Sequence, residues 1–83
     1  MGNQLVTSEI WGMLRYGKIE AWDEENSVVV TWNRSLTLLL WLVTPEGKFQ
    51  NFSIRTMSSP GGGQKEAWEY LSDYLSGKVE SDL

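Results

Sequence analysis

The side chains that most often carry out chemistry are thinly represented in this chain. Its 83 residues include no Cys and no His. Disulfides, thiol nucleophiles, thiolate zinc sites, imidazole metal ligands and His-based triads are therefore excluded together. Three constellations remain. Asp23, Glu24 and Glu25 are adjacent carboxylates, a residue type able to bind a hard cation or move protons. They lack the alternating Asp/Asn positions, central Gly and later Glu of a calcium loop, and read better as a solvated hairpin tip. Gly61-Gly62-Gly63-Gln64-Lys65 precedes a helical pattern, as anion-cradling loops do. Gln64 separates the last Gly from Lys65, however, and neither the Walker nor the dinucleotide spacing is present. A flexible connection accounts better for these residues. The serines and lysines have no His, no SxxK and no GxSxG context to activate them. The chain reads as non-enzymatic, with no cofactor and no metal expected.

Charge and composition narrow the partners. The net charge is −4, and the seven Lys and Arg are scattered, so the basic footprint that draws phosphate backbones is missing. Nucleic acid is not expected as a partner on these grounds. No apolar stretch reaches the roughly 18–20 residues that span a bilayer, and no charged-then-apolar leader is visible. No membrane association and a cytoplasmic location are expected. Five Trp stand out: Trp11, Trp22, Trp32, Trp41 and Trp68. Each buries a large area and needs one partner for its indole N–H. They either fill a small core or mark a binding surface, where Trp is enriched.

The elements that must position these residues follow from local patterns. Residues 1–83 form one domain. Lys18–Trp22 and Ser27–Trp32, a β-branched and aromatic run, flank the polar cluster 23–26 and predict a first hairpin. Leu36–Thr44 and Phe49–Met57 flank Thr44-Pro45-Glu46-Gly47-Lys48 and predict a second, because Pro presets φ and Gly accepts positive φ. In the last strand Phe52 and Ile54 are expected on one face, and Asn51, Ser53 and Arg55 on the other. After the Ser58–Gly63 connection, Gln64–Ser76 predicts a helix docked through a Trp68, Leu71, Leu75 stripe, with Ala67 and Tyr74 flanking it. Glu66 and Glu69 suit its early turns, and Gly77 its C-terminal stop. Val79–Leu83 is expected to fray. Thr7–Tyr16 fits either a strand or a helix, and a strand is favoured because it would extend the first hairpin. The fold class is α+β: a four-stranded antiparallel β-meander with one C-terminal helix on one face.

One segment breaks the expected alternation. In Leu36-Thr37-Leu38-Leu39-Leu40-Trp41-Leu42-Val43, the even positions point one way, while Leu39, Trp41 and Val43 point the other. A strand with one wet face would carry polar residues at every second position. One helix of about 18 Å covers only one face, so a barrel closure, a second copy or another protein is expected over the other. The resulting expectation is a protein-interaction domain, homodimeric or bound to a heterologous protein. Its interface would draw on Leu39, Trp41, Val43, Trp22 and Trp32.

The order strand–strand–strand–strand–helix over about Lys18 to Ser76 resembles the PC4-like single-stranded nucleic-acid-binding domains of a transcriptional coactivator family. The resemblance implies a dimer that holds DNA on basic, aromatic β-ridges, with Trp22 or Trp32 stacking on bases. The sequence departs from it in having no Lys and Arg concentration on the hairpins. A further alternative is a small-molecule binder with a β-cup lined by Trp22, Trp32 and Trp41.

Overall fold

The computed structural model describes residues 17–33, 36–57 and 63–82. The expectations for Thr7–Tyr16, for most of the Ser58–Gly63 connection and for Leu83 fall outside them. The described residues form strands β1 (Lys18–Asp23), β2 (Val28–Trp32), β3 (Thr37–Val43) and β4 (Phe49–Thr56), followed by helix α1 (Gly63–Leu75). The four strands pair antiparallel in the order β1-β2-β3-β4, the expected meander, and α1 packs on one face of the sheet, chiefly over β1 and β2.

The turns follow their chemistry. Between β1 and β2, the Asp23 carboxylate accepts from the Glu25 N–H at 3.2 Å and from Asn26 Nδ2 at 2.6 Å. This side-chain turn lets the chain reverse, and Ser27 takes a positive φ of 56° to re-enter the sheet. The three carboxylates thus sit at a hairpin tip. Between β3 and β4, Gly47 N–H donates to the Thr44 carbonyl at 2.8 Å, with Pro45 in the second turn position, where its fixed φ is favoured. Gly47 has φ 85°, a conformation that would strain any residue with a Cβ.

The core lies between sheet and helix. Ala21, Val28, Val30, Leu38 and Leu40 are buried against Ala67, Tyr70 and Leu71, with Trp32, Leu42, Phe52, Tyr74 and Val79 packed around them. The helix docks through Gly63, Ala67, Tyr70 and Leu71, not through the expected Trp68–Leu71–Leu75 stripe. Trp68 and Leu75 are exposed. The first turn of the helix lies directly on Trp32: a Cβ on Gly63 would stand 3.4 Å from that ring, in van der Waals contact with it.

Two bulges set which side chains meet the helix. In β4 the register shifts between Leu40↔Ser53 and Trp41↔Asn51, leaving Phe52 unpaired. An inserted residue turns both itself and its neighbour toward one face. Phe52 and Ser53 therefore both face α1, Phe52 meeting Tyr74 edge-on at 5.1 Å and Ser53 bonding Tyr70. The expected split, with Phe52 and Ile54 on one face and Ser53 on the other, is overturned by this extra residue. Asn51 caps the bulge, its amide donating at 3.1 Å to both the Leu40 and the Ser53 carbonyls. A second bulge, at Glu20 in β1, separates Ile19 on the far face from Ala21 in the helix-side core.

Helix α1 ends as its sequence suggests. Gly77 adopts φ 77°, its N–H reaches the Tyr74 carbonyl at 3.0 Å, and the Lys78 N–H reaches the Asp73 carbonyl at 2.8 Å. This is the Schellman closure of a helix C-terminus. The residues after it, expected to fray, instead return to the sheet. Val79 packs on the core and Asp82 bonds to β4.

Candidate functional site

The residues expected to form one interface occupy three separate places. Leu39, Trp41 and Val43 share the face of the sheet away from α1, with Val29, Ile19 and Phe49. Cross-strand pairing places Thr31 beside Leu39 and Val29 beside Trp41. The Trp41 indole N–H donates to Thr31 Oγ1 at 2.9 Å, so the polar end of this Trp is satisfied on the sheet itself. The centre of the far face is already withdrawn from water in the single chain: Val29 and Thr31 are both 0% exposed. Leu39 and Trp41 are half-buried, and the large exposed residue is Ile54 beside Leu39. The far face is thus covered at its centre and partly open at its margin, along Leu39, Trp41 and Ile54.

Trp32 lies on the opposite face, packed against the helix-side core beneath Gly63. It is the floor on which the helix begins, and it shares no surface with Trp41. The three-Trp cup of Trp22, Trp32 and Trp41 is not assembled.

Trp22 occupies the third place. On edge strand β1 its ring lies 5.6 Å from that of Trp68, tilted by 52°, within the range in which aromatic pairs attract. Trp22 is 39% exposed and Trp68 42%. Leu75, two turns after Trp68 on the same side of α1, is 47% exposed. The helix shoulder along β1 thus displays two indoles and a Leu to solvent. Trp22 runs directly into the acidic tip Asp23-Glu24-Glu25, so one end of this apolar surface is bordered by carboxylates. The apolar spacing of the helix assigns Trp68 to the docking stripe, whereas the structure sets it at this shoulder against Trp22.

The other shoulder of α1 is polar. Arg55 lies over the Tyr70 ring, 4.4 Å from its centre, and its guanidinium pairs with Asp73 at 3.0 Å. Arg55, Thr56, Glu66 and Glu69 line a half-open cleft. The Tyr70 hydroxyl and Ser53 bond one another inside the core. Burial pushes the Tyr70 pKa up, with the Ser53 hydrogen bond and the Arg55 charge opposing that rise and the Asp82 charge adding to it. Both side chains are enclosed, so no substrate reaches the Ser53 hydroxyl and the pair acts as a structural clasp. Among the described residues, no three acidic side chains converge to hold a metal ion, and no helix is long and apolar enough to cross a membrane.

Compared with known proteins, the chain matches no family profile, no curated protein and no solved structure. The resemblance noted in the sequence extends no further than the order of elements.

Proposed function

We propose that this chain is a non-enzymatic protein-interaction domain whose contact surface is the Trp22–Trp68 shoulder. The observation that carries the reading is the pair itself: two indoles with ring centres 5.6 Å apart, each about two-fifths exposed. Trp is the residue most enriched among the side chains that dominate binding energies, and such anchors cluster centrally in a contact patch. Leu75 extends the patch along the helix. The neighbouring acidic tip and the net charge of −4 select a polypeptide carrying apolar and basic side chains. Arg suits both halves, since it stacks on indole and pairs with carboxylate.

A peptide-display selection on the immobilised chain tests this. Enriched segments that combine Arg or Lys with apolar residues, and that lose at least about 10-fold in affinity (about 1.4 kcal/mol) against Trp22→Ala or Trp68→Ala, support it. Peptides that bind the double variant undiminished would remove the shoulder from consideration. Light scattering separates the remaining case, because a dimer broken by Trp68→Ala would make the partner a second copy.

A further inference from the structure

The side chains of a strand stand roughly perpendicular to the sheet. Neighbours in the same sheet therefore wall a residue at its sides and leave its tip in water, unless something lies on top. On the face away from α1, Val29 and Thr31 are both 0% exposed, and no element among the described residues lies over them. Trp41 leans toward Thr31 through its indole bond, but one half-buried ring does not roof two central residues completely. The chain stands alone in the structure, so no second copy explains the burial. The exposure also has a shape. Ile19, Thr31, Leu39 and Ile54 form one cross-strand row from β1 to β4. Along it Ile19 is half-buried, Thr31 fully buried, Leu39 half-buried and Ile54 53% exposed. The dry centre lies on β2 and the open margin on β4.

A helix is about 10–12 Å across with its side chains, and neighbouring strands are about 4.8 Å apart. One helix laid along β2 therefore reaches β1 and β3 and leaves β4 open, which is the observed pattern. Most of the chain is already engaged elsewhere. Val79 packs on the helix-side core and Asp82 bonds to β4, while residues 58–62 are taken up in joining β4 to α1. Residues 1–16 are left, and they end where the row begins: Gly17 leads into β1, and Ile19 stands at the β1 end of the row. Gly17 has φ 129°, and a Cβ there would lie 2.9 Å from the Trp32 carbonyl oxygen. A regular strand keeps φ negative, so the chain does not enter β1 as the continuation of one. Before that glycine, Ile10, Trp11 and Leu14 follow helical spacing, with Thr7 or Ser8 at the cap position. We propose that Thr7–Tyr16 is an amphipathic helix that folds back along β2 and sets Ile10, Trp11 and Leu14 on Val29, Leu39 and Trp41. The chain's own N-terminal segment thus covers the second apolar face of the sheet, instead of adding a fifth strand beside β1. This cover lies across the sheet from α1 and does not depend on the function proposed for the Trp22–Trp68 shoulder.

Methyl NMR on the full wild-type chain tests this. Nuclear Overhauser contacts are expected from the Val29 and Leu39 methyls to the side chains of Ile10, Trp11 or Leu14. Their absence would overturn the proposal. A backbone ladder between residues 10–16 and β1 would do the same, by making the segment a fifth strand. In a sample mixing labelled and unlabelled chains, contacts seen only between molecules would give the cover to a second copy and sink the proposal. A second measurement uses the lack of native Cys. The thiol introduced by Val29→Cys should react with a maleimide far more slowly than the one introduced by Ile54→Cys. Adding Leu14→Glu should speed labelling at position 29 by at least about 10-fold, as loss of a local cover does, and leave position 54 unchanged. A rate at position 29 that ignores Leu14→Glu would count against the cover. Should Leu14→Glu fail to fold, the wild-type contacts decide the matter. Trp22→Ala with Trp68→Ala should leave those contacts intact, which keeps this result separate from the fate of the shoulder.

Discussion

Tyr70 reaches across from the helix to bond Ser53 on β4, and the two hydroxyls are enclosed together between helix and sheet. No buried side-chain polar atom among the described residues lacks a partner, so this clasp is complete as it stands. Tyr70→Phe would strand the Ser53 hydroxyl, and Ser53→Ala would strand the phenol. Each single change should cost about 1–3 kcal/mol, the penalty for an unsatisfied buried group. The double variant should cost less than the sum, because it strands neither partner. Urea unfolding of the four proteins measures the cycle, and strict additivity would mean the hydrogen bond contributes nothing.

The same phenol makes stability sensitive to alkali. Burial raises its folded-state pKa above the ordinary value of 10.0, so the unfolded chain loses this proton first. The Tyr70 contribution is fully present below about pH 10 and is lost as pH rises through the folded value. Unfolding midpoints measured across that window should fall more steeply for the wild type than for Tyr70→Phe. Parallel slopes would assign the alkaline loss to other groups.

Gly77 closes the helix in a left-handed conformation with open space where a Cβ would go. The penalty for Gly77→Ala is therefore one of backbone conformation alone, about 1 kcal/mol. Gly77→Asn should cost less, since Asn tolerates that region. Thermal unfolding of the two variants would show the ranking.

Exposure divides the apolar residues of α1 into two kinds. Leu71 is buried, and Leu71→Ala should cost about 2–5 kcal/mol through the cavity it leaves. Trp68 is exposed, and Trp68→Ala should cost well under half as much despite removing a larger side chain. Denaturant unfolding settles the order, and a Trp68 loss equal to that of Leu71 would return Trp68 to the core.

The strands, their order and the helix were legible because local patterns agreed with the tertiary arrangement: polar breaks at Asp23–Asn26 and Thr44–Lys48, β-branched runs between them, and Gly77 after the helix. The apolar stripe alone does not fix the docking face of the helix, because the polar side bounds it as firmly. Lys65, Glu69, Ser72 and Ser76 form the polar arc, and the position directly across from it belongs to Gly63, Ala67 and Tyr74. Read that way, Trp68 and Leu75 fall at the shoulder, where the structure has them. The bulge at Phe52 left no comparable mark. A strand with one extra residue alternates on each side of the insertion, and only the partner strand shows that the count has slipped. Asp82 was equally hidden, since its value lies in a distant carbonyl and amide that no short-range pattern connects.

The meander order has a kinetic meaning. Each ladder joins neighbours in the sequence through a short reversal, so the entropy lost in closing those loops is small. Docking α1 onto β1 closes the longest span, with Trp68 meeting Trp22 near the other end of the described chain. Hairpins should therefore zip early and the helix should seat late, with the mostly local wiring favouring rapid folding. On that ordering, loss of the Tyr70 clasp should speed unfolding far more than it slows refolding. A stopped-flow chevron of Tyr70→Phe with its change confined to the refolding limb would reverse the sequence of events.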